Sequence, residues 1–355
     1  MSIFTPLRAL ARQVPLYHDR PSSPSPSDVT RSSSDGESGR DSISEGGSQL
    51  VHLIPTAATQ TSTYGLFTVD TSIATGKTNF PIASGGLADV YRCILNRDAS
   101  LEEVAVKYPR LPNPTDAAVV RINRNLEREI KVWTRLNHQY VLCLRGTATG
   151  FGPFRALVSP WMPNGTLNSY LTREHETPTG MDKPRILKQI TEGLKHLHDT
   201  NVIHGDLTSK NVLIAADGSP RLADFGVSNI MVQSNPEFSF HNGAVRWVAP
   251  ELIDLLEGQA VPYATKSSDI YALGCIMLEV LYGKLPYWWI KQANSVIASK
   301  CKGQEPIKDN TIQIQAHHLD FMRRCWSVKS ETRPSVDEVL GFLAEGAISN
   351  GVSST

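Results

Sequence analysis

Apolar residues follow two different periods along this chain, and the change from one to the other outlines its architecture. From about Phe80 they fall in short runs of strand length, "YRCIL", "EVAVKY", "VLCLRG" and "FRALVSPW", which predict a β-rich unit. Farther on the spacing widens. Ile122, Leu126, Ile130 and Trp133 form one stripe, and Leu187, Ile190, Leu194 and Leu197 another, each predicting an amphipathic helix. The run "IYALGCIMLEVLYG", Ile270 to Gly283, is apolar nearly all round apart from Glu279. It predicts a helix sunk in a core, and it is shorter than the roughly 18 residues a membrane span needs. Strands early and helices late predict an α+β molecule of two lobes, with a cleft between them.

Outside this region the pattern changes. Pro21 to Gln49 is almost entirely Ser, Pro, Gly, Asp, Glu and Arg, with Val29 and Ile43 as its only aliphatics. Such a stretch cannot bury enough apolar area to offset its ordering entropy. Residues 50–79 are transitional, with "LVHLIP" a short helix or strand and "YGLFTV" strand-like; "ISNGVSST", after Ala347, reads as a free tail. The expected division is a mostly disordered Ser/Pro-rich region over 1–75, a folded unit over 76–347 split near residue 160, and a flexible tail over 348–355.

Composition narrows the function classes. A chain of 355 residues, 40% hydrophobic, can fill a sizeable core. Lys+Arg and Asp+Glu both total 35, so no net charge draws the chain toward nucleic acid or an anionic membrane. The five cysteines, Cys93, Cys143, Cys275, Cys301 and Cys325, stand singly, without the close pairs of a zinc site. Reduced, buried thiols in an intracellular protein are expected. The N-terminal "MSIFTPLRALARQVPLYHDR" has arginines and no acid before Asp19, as organelle transit peptides do. Those residues are also common near a start codon, and the expected location is cytoplasmic.

The candidate chemistry lies in the predicted cleft. In "EEVAVKYP" the period of two puts Ala105 and Lys107 on one face, a cation beside a small residue. Glu129 shares the inward side of the following helix, three after Leu126 and four before Trp133; a carboxylate so placed needs a cation or a proton, and Lys107 is a candidate partner. Upstream, "IASGGLADVYR" suits a loop whose backbone approaches phosphate, although glycine pairs also mark ordinary turns. "NVIHGDLTSKNVLI" then carries Asp206 and Asn211, and Asp224 follows Asn211 by thirteen residues. Asn211 and Asp224 together offer oxygen donors suited to Mg2+. Asp206 is left as a base or orienting group.

In this order the residues resemble a eukaryotic-type protein kinase, over about Phe80 to Ala347. The matching signatures are "VAVK" ending at Lys107, Glu129, "HGDLTSKN", "DFG" from Asp224, "APE" ending at Glu251, "SSDIYALG" with Asp269, and "ETRP" with Arg333. "AVRWVAPE" and "CW" at Cys325–Trp326 look most like the tyrosine-kinase-like branch of Ser/Thr kinases. The resemblance implies the two-lobed kinase fold, a small β-rich lobe with one main helix and a larger helical lobe. It implies ATP and Mg2+ as cofactors and a protein substrate. Lys107, held by Glu129, would bind the α/β-phosphates; Asp224 and Asn211 would hold Mg2+; Asp206 would accept or orient the substrate hydroxyl. Val90, Ala105 and Leu213 would enclose the adenine, Ser159 would be the gatekeeper, and Trp161 and Met162 would lie in the hinge.

The departures from the family pattern matter too. Ala83, Ser84, Gly85 and Gly86 open the stretch where the family has its G-x-G-x-x-G, which implies weaker nucleotide handling. Gly205 replaces the arginine that pairs with a phosphorylated activation loop, so activity should depend little on such a phosphate. Thr208 replaces the lysine beside the γ-phosphate, and Lys210 stands where it could reach the same phosphate. Ala244 replaces a threonine frequent in Ser/Thr kinases. The expected activity is protein phosphorylation, on Ser/Thr; the alternatives are a pseudokinase scaffold and a Tyr or dual-specificity kinase. Nothing in the chain indicates its oligomeric state.

Overall fold

The structure, a computed structural model, describes residues 67–69, 74–75, 81–84, 88–97, 100–110, 115–176, 182–225, 244–253, 262–308 and 312–350. All of them lie in one compact unit, Thr56–Thr355. Its first part is an open sheet built from β1 (Phe67–Val69), β2 (Ala74–Thr75), β3 (Ala83–Ser84), β4 (Ala88–Arg97), β5 (Ser100–Pro109), β6 (Gly146–Ala148) and β7 (Ala156–Pro160). The strand order is β1-β6-β7-β5-β4-β2, with β3 also on β4. Alternation does what the sequence predicts. Val104 and Val106 are buried with Cys93, Ala156 and Val158 in a core of this lobe, which turns Ala105 and Lys107 to the opposite face.

Helix α1 (Asp116–Trp133) follows β5 and starts where Thr115 accepts a hydrogen bond from the Ala118 amide at 3.3 Å. Its buried positions include Leu126, Ile130 and Trp133. The second part of the fold contains α2 (Leu167–Glu176), α3 (Lys183–Asp199), the hairpin β8 (Val212–Ile214) with β9 (Pro220–Leu222), α4 (Lys266–Tyr282), α5 (Ala293–Cys301), α6 (Ala316–Cys325) and α7 (Val336–Asn350). Helix α4 is the central post. A Thr265–Ser268 capping box begins it, Gly283 at φ 64 ends it, and every residue from Ser268 to Val280 is buried. The main core runs from Leu126 through α3 and α4 to Leu343. The α+β, two-lobed kinase fold expected of the chain is the fold observed.

Some expectations fail locally. "VLCLRG" is not a strand: Val141 makes an isolated bridge to Leu222, and regular pairing begins only at Gly146. Its apolar residues report burial, since Val141 and Leu142 lie in the main core. The sheet starts ahead of residue 76, because β1 pairs in parallel with β6 and β2 pairs with β4. The last helix continues to Asn350, past Ala347 where a tail is expected; with no Gly or Pro between, each added residue needs only one further backbone bond. The five cysteines stand outside any disulfide, yet Cys143 and Cys301 are exposed. No helix among the described residues is long and apolar enough to cross a membrane. Residues 1–66 and 351–355, and with them the stretch expected to be disordered and "LVHLIP", lie outside the described residues.

Candidate active site

The catalytic loop hangs from α4. Asp269, in the first turn of that helix, accepts hydrogen bonds from the His204 and Gly205 amides, both at 2.9 Å, and lies 3.0 Å from His198 Nε2 of α3. A buried carboxylate with three donors is satisfied, and it fixes two successive amides of the loop. Gly205 has φ 75, a left-handed conformation that glycine adopts without steric cost. The residue that departs from the family pattern is thus also the one whose backbone suits glycine. The loop then returns so that Asn211 Nδ2 donates at 2.8 Å to both the carbonyl and Oδ2 of Asp206. With its nitrogen used there, Asn211 has Oδ1 as the atom to offer a cation.

Asp224 enters after β9 at φ 59, and its Oδ1 accepts from Lys107 Nζ at 2.6 Å. That contact joins the two lobes. Phe225 packs edge-on against Trp133 of α1 and His204 of the loop, with ring centroids at 5.5 and 6.3 Å. Glu129 is buried on α1 as predicted, but among the described residues Lys107 has its ion pair with Asp224 and none with Glu129. The expected Lys107–Glu129 pair is therefore corrected. Asp224 is within contact of the ammonium, whereas Glu129 acts on it only at longer range. Burial would lower the Lys107 amino group, yet the fields of Asp224, Glu129 and Asp206 together hold it above its ordinary value. Burial pushes the Glu129 carboxyl up to about 7, against the pull of Lys107. It likewise pushes Asp206 up to about 7, against its hydrogen bond from Asn211.

The residues expected around the adenine lie on the strands next to these charges. Ala105 faces Ser159 across β5 and β7, and Val90 faces Lys107 across β4 and β5. Ser159 is buried, and the segment beyond it is anchored by the Trp161 amide on Glu103 O at 2.9 Å. Leu213 sits half-buried on β8, opposite in facing to Val212 and Ile214, and Met162 packs against the main core. Ala83 and Ser84 form β3, in register with Val90 and Asp89. Gly85 and Gly86 lie outside the described residues, as do Gly226 and 227–243.

A protein kinase domain family matches residues 78–342. The chain belongs to the protein kinase family. It is 28% identical over 262 residues to the serine/threonine/tyrosine-protein kinase HT1 of Arabidopsis thaliana, covering 74% of this chain and 64% of that protein. It is 29% identical over 269 residues to the Arabidopsis thaliana serine/threonine-protein kinase STY46, covering 74% of this chain and 43% of the other. With the human ephrin type-A receptor 5 the identity is 28% over 225 residues, 62% of this chain and 21% of the receptor. The chain thus spans less than two thirds of the length of each of these relatives.

As a kinase site, the structure brings Lys107, Asp206, Asn211 and Asp224 together and leaves Lys210 apart. Lys210 is exposed and makes no hydrogen bond or ion pair among the described residues. Thr208 is buried, and its carbonyl accepts from the Asn211 amide at 3.0 Å, so it shapes the loop from within. Asp224 and Asn211 present hard oxygen donors; no group of three or more His, Cys, Asp or Glu residues forms a metal cage among the described residues. That donor set fits Mg2+, which keeps waters and substrate phosphates as its remaining ligands.

Sequence reasoning missed the next layer of residues. Glu279 of α4 accepts from Ser209 Oγ at 2.7 Å and from the Trp247 indole N–H. It thereby ties the catalytic loop to the segment leading to Glu251. Burial raises its carboxyl to about 7. The signal was present as a lone acid in an apolar helix. Arg333, by contrast, is where the resemblance places the partner of Glu251: it clamps that carboxylate with two parallel bonds of 2.7 Å and also donates to the Ser327 and Ser267 carbonyls.

Proposed function

We propose that the chain is an ATP- and Mg2+-dependent protein kinase that phosphorylates protein hydroxyls, principally Ser/Thr. The observation that carries this reading is the convergence of Lys107, Asp224, Asn211 and Asp206 at one mouth between the lobes. Lys107 would meet the α/β-phosphates, and Asp224 and Asn211 would hold Mg2+, which supplies charge neutralisation on the phosphates. Asp206, half-buried with its carboxyl raised to about 7, is tuned to take a proton near neutral pH. In the transfer the acceptor oxygen bonds the γ-phosphorus as the bridging oxygen departs to ADP, and the hydroxyl proton passes to Asp206. The adenine would lie among Val90, Ala105, Leu213 and the Ser159–Met162 strand end. The folded kinase unit is taken to run from β1 at Phe67 to the end of α7 at Asn350, and an intracellular setting goes with the need for ATP.

Relatives named as a serine/threonine/tyrosine-protein kinase, a serine/threonine-protein kinase and an ephrin type-A receptor leave acceptor choice to experiment. The activity is tested by incubating the chain with Mg-ATP and a generic protein substrate. Asp206→Asn should lower phosphate incorporation by roughly 10²–10⁴-fold. Equal incorporation by both proteins would refute the assignment, and phosphoacceptor mapping of the product separates Ser/Thr from Tyr. A scaffold without turnover is the competing reading, supported by the buried Thr208 and the uncommitted Lys210.

A further inference from the structure

Lys300 of α5 is 2% exposed, and none of the roles above uses it. Its Nζ donates to the carbonyls of Arg246 at 3.0 Å and Val248 at 2.6 Å, and lies 3.4 Å from the Tyr271 hydroxyl. The Tyr271 and Tyr287 ring centroids are 4.7 and 5.0 Å away. The polar chain continues, with the Tyr271 and Tyr287 hydroxyls 3.1 Å apart and Tyr287 donating to Gln304 O at 2.8 Å. An ammonium has three donors, and the site offers three acceptors and two ring faces. If the ammonium donates to Tyr271, Tyr271 to Tyr287 and Tyr287 to Gln304, every N–H and O–H is used. A neutral amine has one N–H fewer.

The charged and titratable groups facing Lys300 are Tyr271 and Cys275 of α4, Tyr287 after it, Arg246 and Glu251 from the preceding segment, and Arg333. Burial pushes the Cys275 thiol up to about 12 and the Tyr287 hydroxyl upward, so both stay protonated at neutral pH. Burial lowers the Lys300 amino group to about 7, so its two forms exchange in the physiological range. Trp247 lies between the two carbonyls that Lys300 holds, and its indole bonds Glu279, which also holds Ser209, three residues after Asp206. The 246–248 segment is therefore tied to the catalytic loop on one side and to Lys300 on the other.

We propose that Lys300 is a positioning residue for the protein acceptor: its ammonium, by holding the Arg246 and Val248 carbonyls, sets where residues 246–248 lie against the catalytic loop. The inference rests on the kinase reading above. Loss of the charge, as pH rises through the titration, weakens both bonds to these carbonyls, since a neutral amine donates less strongly than an ammonium, and so loosens the segment and weakens acceptor binding without touching the nucleotide.

The test compares wild type with Lys300→Met and Tyr271→Phe, using a peptide acceptor from the mapped product and varying pH. Wild type should show a peptide KM that rises with pH through neutrality while the ATP KM stays level. K300M should show a peptide KM raised about tenfold, keeping only the part of the pH dependence that Glu279 contributes through Trp247. Y271F takes away one acceptor of the charged form, so the rise should move to lower pH. A K300M profile that parallels wild type, an unmoved midpoint in Y271F, or an ATP KM that rises as much as the peptide KM would overturn the proposal. Should wild type transfer no phosphate, that failure belongs to the activity. Amide exchange then decides the clamp: faster exchange over 244–253 in K300M than in wild type supports it, and equal protection overturns it.

Discussion

Glu279 is 3% exposed, and its carboxyl is raised to about 7 from an ordinary value of 4.5. A carboxyl raised in the folded state holds its proton more tightly there than in the unfolded chain. Its contribution to stability is therefore full below about 4.5 and is lost as pH rises through about 7. Glu279→Gln keeps both hydrogen bonds available, because the amide oxygen can accept from Trp247 while its nitrogen donates to Ser209. The variant should lose less stability than wild type between about pH 5 and pH 8, by on the order of a few °C in Tm. Thermal melts across that range check it, and an unchanged slope would place the pH dependence in another group. Asp206 and Glu129, raised by the same burial, act on the same pH range from the cleft.

At the scale of elements, α4 organises everything the site needs. Asp269 at its start holds the catalytic loop, and Glu279 near its end holds Ser209 and Trp247. One rigid helix thus spaces two buried carboxylates nearly three turns apart. Its seat against α6 depends on the absence of a side chain at Gly274. A Cβ there would come within 2.7 Å of Cys325 Cβ and 2.9 Å of Trp326 Nε1. Gly274→Ala should therefore gain helix propensity and still lose stability, by about 1–3 kcal/mol, because the close-packed interface must move. Denaturant unfolding measures the difference. A variant at least as stable as wild type would mean that α6 yields easily.

For the whole molecule, the Lys107–Asp224 contact is the charged link across the lobes. A ligand that binds only the folded chain raises its apparent stability by mass action. Mg-ATP should accordingly raise the Tm of wild type, and Lys107→Met should lose most of that shift while keeping a similar Tm without nucleotide. A shift in wild type without turnover would favour the scaffold reading. No shift at all would remove nucleotide binding in any role.

The pattern of apolar positions determined the fold class and the places of α1, α3 and α4, because burial stripes are written in the local period of a chain. The order and identity of polar residues likewise determined the cleft members Lys107, Asp206, Asn211 and Asp224. Through their resemblance to the kinase pattern, their types and order imply phosphate and magnesium chemistry before any coordinates. Local pattern could not tell that "VLCLRG" is buried without being a strand, since an apolar run reports burial and leaves backbone pairing open. Nor could it choose partners. Lys107 lies within the field of three carboxylates, and only the packing of the lobes gives it Asp224 in place of Glu129. Ser209, Trp247, Glu279 and Lys300 are far apart in sequence, and their pairing depends on where α4 and α5 meet the catalytic loop and the segment before Glu251. Those contacts are non-local, so tertiary structure alone decided them.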